Sequence, residues 1–154
     1  MENIITGNQE LFTFLKNIDF KCQQCSACCR TYPGAVFLTK NDAEKIANYL
    51  KLDLNSFLKE YCRGIERKGK KVVSLKEKSN YDCILWDEGC TVYPVRPLQC
   101  ITYPFWPYLV ESETAWNKET RYCKGINKEG KLTLKKKIEL YLAEKQAEYL
   151  EFKF

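Results

Sequence analysis

The sequence predicts a small α+β domain with short helices, a minor antiparallel sheet and long loops organised by metal. Three observations carry this. The 154 residues fit one domain with a modest core, spanning 1–154. Segments of helical period lie at both ends, around a middle stretch rich in β-branched residues. Nine cysteines and no histidine accompany long stretches with neither period.

The elements follow in order. Leu11, Phe12, Leu15 and Ile18 recur at helical spacing and predict a short amphipathic helix. A cysteine-dense loop runs from Phe20 to Gly34, and Ala35 to Leu38 reads as a brief strand. Thr39 and Asp42 form a variant capping box opening a helix with Ala43, Ile46, Ala47 and Leu50 on one face. Asp53 caps a second helix carrying Leu54, Phe57, Leu58 and Tyr61, and the two should pack together. Cys62 follows on that helix as a small core residue.

From Ile65 to Trp86 the chain has strand character. Gly69 lies in a basic turn, Val72 to Leu75 is β-rich, and Cys83 to Trp86 is a second apolar run. Asp87-Glu88-Gly89 is a turn. Pro94, Pro97, Pro104 and Pro107 argue against regular helix or central strand and predict an ordered aromatic loop. A C-terminal helix covers about 133–152, with Leu134, Ile138, Tyr141, Leu142 and Leu150 on its apolar side and Glu139, Glu144 and Glu148 among lysines opposite.

Composition narrows the chemistry. Apolar residues at 45% and charged residues at 29% are ordinary for a soluble protein, and 14% aromatic argues against disorder. Without histidine there is no Ser-His or Cys-His pair, no His-ligated zinc hydrolase site and no histidine general base. Met1 to Glu10 is polar and is not read as a secretory signal. No run approaches the roughly 18 apolar residues needed to cross a bilayer, so no membrane contact is expected. A cytoplasmic location is the expectation, where thiols stay reduced and metal is the usual reason for many cysteines. An odd cysteine count and the vicinal Cys28-Cys29 pair also speak against disulfides.

The net charge of +5 does not license a nucleic-acid partner. A four-thiolate site holding Zn(II) or a [4Fe-4S] cluster carries about −2, so one or two such sites would lower the total to about +3 or about +1. Lys135 to Lys137 and the group Arg67, Lys68, Lys70 and Lys71 read as solvated faces or turns.

The strongest local signal is Cys22-Gln-Gln-Cys25-Ser-Ala-Cys28-Cys29. Three thiols at two-residue gaps can converge on one small volume, as tetrahedral thiolate ligation and cubane clusters require. A bacterial ferredoxin loop opens with this spacing and continues x3-C-P; here Tyr32-Pro33 keeps the proline and lacks the cysteine. The fourth ligand then comes from Cys29 or from a remote cysteine. Cys83, Cys90, Cys100 and Cys123 follow, making eight thiols, enough for two four-thiolate sites.

These residues resemble the CxxCxxCC cysteine-cluster family, also described as YkgJ-like or as a zinc- or iron-chelating domain. The resemblance continues through Leu38-Thr39 with Asp42, Cys83 to Cys90, Val92-Tyr93-Pro-Val-Arg96-Pro97-Leu-Gln-Cys100, Tyr103 to Trp106 and Cys123-Lys-Gly125-Ile126. It covers a motif core of 22–126. Ser26 and Lys124 replace the family's usual glycine and proline, and neither change removes a thiol. The resemblance implies zinc or iron–sulfur binding. A related domain in the flagellin lysine methylases is associated with an iron–sulfur cluster, but this chain shows no glycine-rich methyl-donor loop.

Cys22, Cys25, Cys28, Cys29, Cys83, Cys90, Cys100 and Cys123 are thus the candidate metal ligands. All-thiolate donors suit zinc and iron–sulfur alike. The ferredoxin-like opening and nearby aromatics (Tyr32, Trp86, Tyr93, Tyr103, Phe105, Trp106) favour a [4Fe-4S] cluster, with zinc as the alternative. Consecutive side chains diverge, so Cys28 and Cys29 should not both face one site. The expected arrangement groups Cys22, Cys25 and either Cys28 or Cys29 with Cys100, leaving Cys83, Cys90 and Cys123 for a second metal or partly unligated. Arg96 either neutralises an anionic cluster or grips an acidic ligand, or else pairs with Asp87 or Glu88. Asp42 reads as a helix N-terminal acid rather than a ligand. The function expected is an iron–sulfur protein in redox chemistry or protein maturation, with a protein or redox partner. A zinc-stabilised binding module and a methylase-like protein-modifying enzyme are the alternatives.

Overall fold

The structure is a computed structural model describing residues 8–22 and 34–153. Its elements are α1 (Asn8–Asn17), α2 (Lys40–Tyr49), α3 (Leu54–Tyr61), β1 (Cys62–Arg67), β2 (Lys70–Leu75), α4 (Leu98–Thr102), α5 (Pro107–Val110), α6 (Glu113–Lys118) and α7 (Leu134–Lys145). The fold is α+β. The chain divides into two compact units: Met1–Cys28 with Thr102–Gln146, and Cys29–Ile101 with Ala147–Phe154.

In the second unit α2 starts where its capping box predicts. Thr39 Oγ1 accepts from Asp42 N at 3.0 Å, and Asp42 Oδ2 accepts from Thr39 N at 3.0 Å. Asp53 caps α3 by accepting from Ser56 N at 2.9 Å. Ala43, Ile46 and Ala47 of α2 and Phe57 and Leu58 of α3 are buried in one cluster with Leu38, Val73, Leu75, Leu85 and Val92. The helix pair is therefore held by the apolar faces its period marks out.

β1 and β2 form an antiparallel hairpin with Cys62 opposite Leu75 and Arg67 opposite Lys70. Lys68 and Gly69 make the turn, both with positive φ (52° and 80°), the combination that a two-residue hairpin loop favours. Cys62 is the first residue of β1 rather than part of the preceding helix. It is buried in the core, and burial pushes its thiol pKa up to about 12.

The other edge of β2 is shared by two distant segments. Leu38 N donates to Val73 O (3.1 Å) and Leu75 N to Val36 O (3.0 Å), while Val73 N donates to Leu150 O (2.8 Å) and Phe152 N to Lys71 O (2.7 Å). Residues 35–38 are thus extended chain with an isolated bridge from Phe37 to Ser74, not a named strand. The predicted C-terminal helix stops at Lys145, and the tail leaves it to cover this sheet edge. An open row of N–H and C=O groups is costly, and the tail satisfies it.

In the first unit Leu11 and Leu15 of α1, Phe105, Leu109 and Val110, Trp116 of α6, Ile126 and Tyr141 of α7 form the core. Phe12, expected inside, is 38% exposed. Two charged residues of α7 are buried rather than solvated. Lys137 donates to Leu15 O (3.0 Å) and Ile18 O, carbonyls at the end of α1. Glu144 accepts from Thr102 Oγ1 at 3.1 Å. The lysine replaces the missing helical partners at the α1 C-terminus, which is why it can be buried.

The proline-rich stretch is not an irregular loop. It forms a 3-10 turn over Tyr93–Val95 and the short helices α4 and α5. Pro94 and Pro107 occupy first-turn positions, where a missing N–H costs nothing. Cys83 to Trp86 is likewise a set of turns instead of a strand.

Candidate metal centre

Cys25, Cys28 and Cys29, with Tyr32, lie outside the described residues. The other candidate ligands fall in two groups, one in each unit.

In the first unit the chain reaches the cysteine run through a pairing with the loop after α6. Phe20 bridges Ile126 in antiparallel sense, and Lys21 N donates to Gly125 O at 3.0 Å. That register sets exposed Cys22 opposite Lys124, one residue from half-buried Cys123. The approach needs glycine: a Cβ on Gly125 would lie 2.2 Å from Lys21 O, and one on Gly130 2.2 Å from Phe20 O. Asp19 locks the same junction, its carboxylate accepting from Gly130 N and Phe20 N, both at 2.9 Å. Cys123 N donates to Glu119 O at 3.0 Å. Burial raises the Glu119 pKa, opposed by the Tyr103 hydroxyl that donates to its carboxylate.

The Asp19 carboxyl is held below its ordinary pKa, first by the Gly130 N–H and then, against burial, by the Phe20 N–H and the Lys137 cation. A depressed folded pKa contributes stability that is present above the unfolded value of about 3.8 and lost as pH falls through the folded one. Asp19→Asn should therefore flatten the acid limb of the stability curve of metal-free protein. Urea midpoints between about pH 5 and about pH 2.5 would show it. An unchanged acid limb would mean that this junction does not depend on the carboxylate.

In the second unit Cys83 and Cys90 stand on a tight hairpin. Trp86 N donates to Cys83 O (2.9 Å), Thr91 N to Leu85 O (2.9 Å), and Trp86 bridges Cys90. Glu88 and Gly89 turn the chain with φ of 56° and 141°. Burial raises the Cys83 pKa; the Leu85 N–H, bonded to its sulfur, and the Lys78 cation lower it, while neighbouring Cys90 raises it. Lys78 Nζ also donates to Trp86 O at 2.6 Å. Burial outweighs the N–H and the ammonium, so the Cys83 thiol is held above its ordinary pKa.

Cys100 sits in α4. Asp42 Oδ1 accepts from Leu98 N at 3.1 Å, so this buried carboxylate ties the starts of α2 and α4 together. Gln99 Oε1 accepts from Phe37 N at 2.9 Å. The capping motif disclosed half of Asp42's role; its long-range half left no trace in local sequence. Glu77 and Arg63 were likewise missed. Glu77 bridges Cys83 through the backbone and accepts from Gly34 N at 2.6 Å, and Arg63 donates to Gly34 O at 2.9 Å.

Arg96 forms no ion pair with Asp87 or Glu88 among the described residues. Its guanidinium lies over the Tyr93 ring, 4.2 Å from the centroid, and donates to Tyr93 O at 3.1 Å. The aromatics do not act alike: Phe105 is core, whereas Tyr93 is 58% exposed. Among the described residues no three ligand side chains gather into one metal cluster. Cys83 and Cys90 share one hairpin, and Cys22 lies on a segment paired with the Cys123 loop. Thiol donors suit a soft metal or a cluster of iron and sulfide, and not a hard cation.

Thiols on tight turns in an α+β fold are of the kind that zinc- and iron-binding domains carry. The chain belongs to the CxxCxxCC family, described as "Putative zinc- or iron-chelating domain", which matches residues 21–124. Metal binding by zinc or iron is therefore the function class. The chain is similar to uncharacterized protein MJ0661 of Methanocaldococcus jannaschii, 32% identical over 119 residues, or 73% of this chain. It spans 61% of that relative's length. No solved structure matches the chain. No helix among the described residues is long and apolar enough to cross a membrane.

Proposed function

We propose that the chain carries an iron–sulfur cluster on its cysteine thiolates and works with a protein or redox partner, in electron transfer or in maturation of that partner. The observation that carries this reading is the Cys83–Cys90 hairpin, where a backbone N–H meets a half-buried sulfur. Hydrogen bonds to cluster sulfur and partial burial are the means by which a protein sets a reduction potential. The ferredoxin-like opening from Cys22 supports the same choice.

The residues that would hold the cluster are drawn from Cys22, Cys25, Cys28, Cys29, Cys83, Cys90, Cys100 and Cys123. When bound, such a cluster supplies a one-electron redox couple. The chain's own part is to fix the sulfurs: Gly125 and Asp19 set Cys22 against the Cys123 loop, and Asp42 and Gln99 orient the helix of Cys100. Arg96 supplies a cation four residues before Cys100.

The same hairpin supports a second reading, structural zinc in a protein-binding module. Cys83 to Cys90 lacks regular secondary structure, and a metal would stabilise such turns. Anaerobic purification with iron, zinc and acid-labile sulfide counted per chain separates the two. Iron and sulfide in equal amounts, about four each per site, with a broad band near roughly 400 nm, is the expected result. Stoichiometric zinc in a colourless protein would replace it with the structural reading.

A further inference from the structure

The stretch 118–131 leads from the end of α6 towards α7 in the first unit. It carries five cations, Lys118, Arg121, Lys124, Lys128 and Lys131, against two carboxylates. All five are exposed, and among the described residues none of them is in an ion pair. We propose that this stretch is a docking surface for the acidic face of a partner protein. The inference deepens the reading that the chain works with a protein partner, and rests on it.

Three features carry it. The first is that the nearby acids are turned inward. The Asp19 carboxylate accepts from Gly130 N and Phe20 N, both at 2.9 Å. Glu119 is half-buried and accepts from the Tyr103 hydroxyl at 3.2 Å. Of the two carboxylates in the stretch only Glu129 is exposed. The lysines and the arginine are thus left with a surface of one sign, and such a surface draws a partner of the other sign.

The second feature is a fixed backbone beneath the cations. The 3-10 turn Glu119–Arg121 sets Lys118 and Arg121 three residues apart, on one face. Further turns follow, closed by Ile126 N to Cys123 O (3.4 Å) and Lys128 N to Gly125 O (3.2 Å). Asn127, with φ of 66°, pins them from within. Its N–H donates to Asp19 O at 2.8 Å, and its Oδ1 accepts from Trp116 Nε1 at 3.1 Å. A loop held this way has little freedom left to lose on binding.

The third feature is the company the cations keep. Tyr122, next to Arg121, is 43% exposed. Tyrosine and arginine are the residues that protein interfaces concentrate at their centres. Tyr122 is also the one large exposed apolar side chain in the stretch. A single-stranded nucleic acid is held by several aromatics on which successive bases stack, so the surface favours a protein.

The test is fluorescence anisotropy on the full-length chain as purified. The probes are a labelled peptide of glutamate and tyrosine and a labelled single-stranded RNA of equal net charge. The peptide is expected to bind, about tenfold more weakly when salt rises from about 50 to about 300 mM. Arg121→Glu with Lys128→Glu should weaken it about tenfold or more. Lys68→Glu with Lys70→Glu makes the same change of net charge at the exposed β1–β2 turn of the second unit, and should alter binding less than about twofold. If the first pair disturbs folding, judged by far-ultraviolet circular dichroism, Arg121→Gln with Lys128→Gln should still weaken binding about threefold. Equal weakening by the two glutamate pairs would overturn the proposal, since net charge and not this stretch would then govern binding. Tighter binding of the RNA, lost in the same variants, would overturn it in favour of a nucleic acid. No peptide binding by a chain that holds metal would overturn the surface and leave the metal reading standing. Peptide bound through Arg121 and Lys128 by a chain holding neither iron nor sulfide would support the surface and overturn the redox reading alone. Loss of metal from the Arg121 and Lys128 variants with peptide binding intact would make these cations counter-charges of the metal site, and overturn the docking role.

Discussion

Gly125→Ala is expected to destabilise the metal-free protein by about 1–3 kcal/mol and to accelerate metal loss to a chelator. The added Cβ would sit 2.2 Å from the carbonyl oxygen of Lys21 and 2.9 Å from its carbon. Both are backbone atoms, so no side-chain rotation relieves the clash, and the two segments must part. Parting breaks the Lys21–Gly125 hydrogen bond and shifts Cys22 relative to Cys123. Gly34→Ala is the matched control at the other end of the cysteine run. Its Cβ would meet nothing within 4 Å, and its bonds to Glu77 and Arg63 use only backbone atoms. That variant should lie within about 0.5 kcal/mol of wild type or gain slightly from a stiffer unfolded chain. Urea denaturation and chelator-release rates measure both. Equal behaviour of the two alanines would show that close approach at Gly125 is not what places Cys22.

Asp42→Ala should cost about 3 kcal/mol, more than an ordinary helix cap. Asp42 is 3% exposed, and each of its carboxylate oxygens accepts from a backbone N–H, one from Thr39 and one from Leu98. Removing the side chain leaves both donors without their acceptor and frees the start of α4. Cys100, two residues beyond Leu98, should then react faster with a thiol reagent in metal-free protein. Asp42→Asn retains one acceptor oxygen and should fall between alanine and wild type. Denaturation midpoints with site-resolved alkylation by mass spectrometry provide the measurement. If Asp42→Ala destabilised the chain without altering Cys100 labelling, the carboxylate would act as a cap and not as a tie between helices.

The cysteine chemistry and the residues around it were unequally legible. Asp42 was recognisable as a cap because Thr39 stands three residues before it; that Leu98 would come to its other oxygen was not. Arg96 could be picked out for its rigid setting between prolines, yet its stacking on Tyr93 depends on the 3-10 turn that those prolines nucleate. The prolines themselves misled. Their number argues against helix, whereas Pro94 and Pro107 occupy first-turn positions where the ring fits. The helical pattern places Lys137 and Glu144 on a solvated face, yet both are buried with partners far along the chain.

By itself the sequence determined the side chains on hand, thiols without imidazole, together with α1 to α3, the β1–β2 turn and the start of α7. Each of these depends on a side-chain period or a cap spanning a few residues, and such information is local. The tertiary structure alone decided that Cys22 lies beside the Cys123 loop, that Glu77 bridges Cys83, and that residues 147–152 leave the last helix to cover an edge of β2. Those outcomes turn on backbone groups seeking partners. Every residue but proline carries the same N–H and C=O, so the sequence bears no mark of which distant segment will satisfy them.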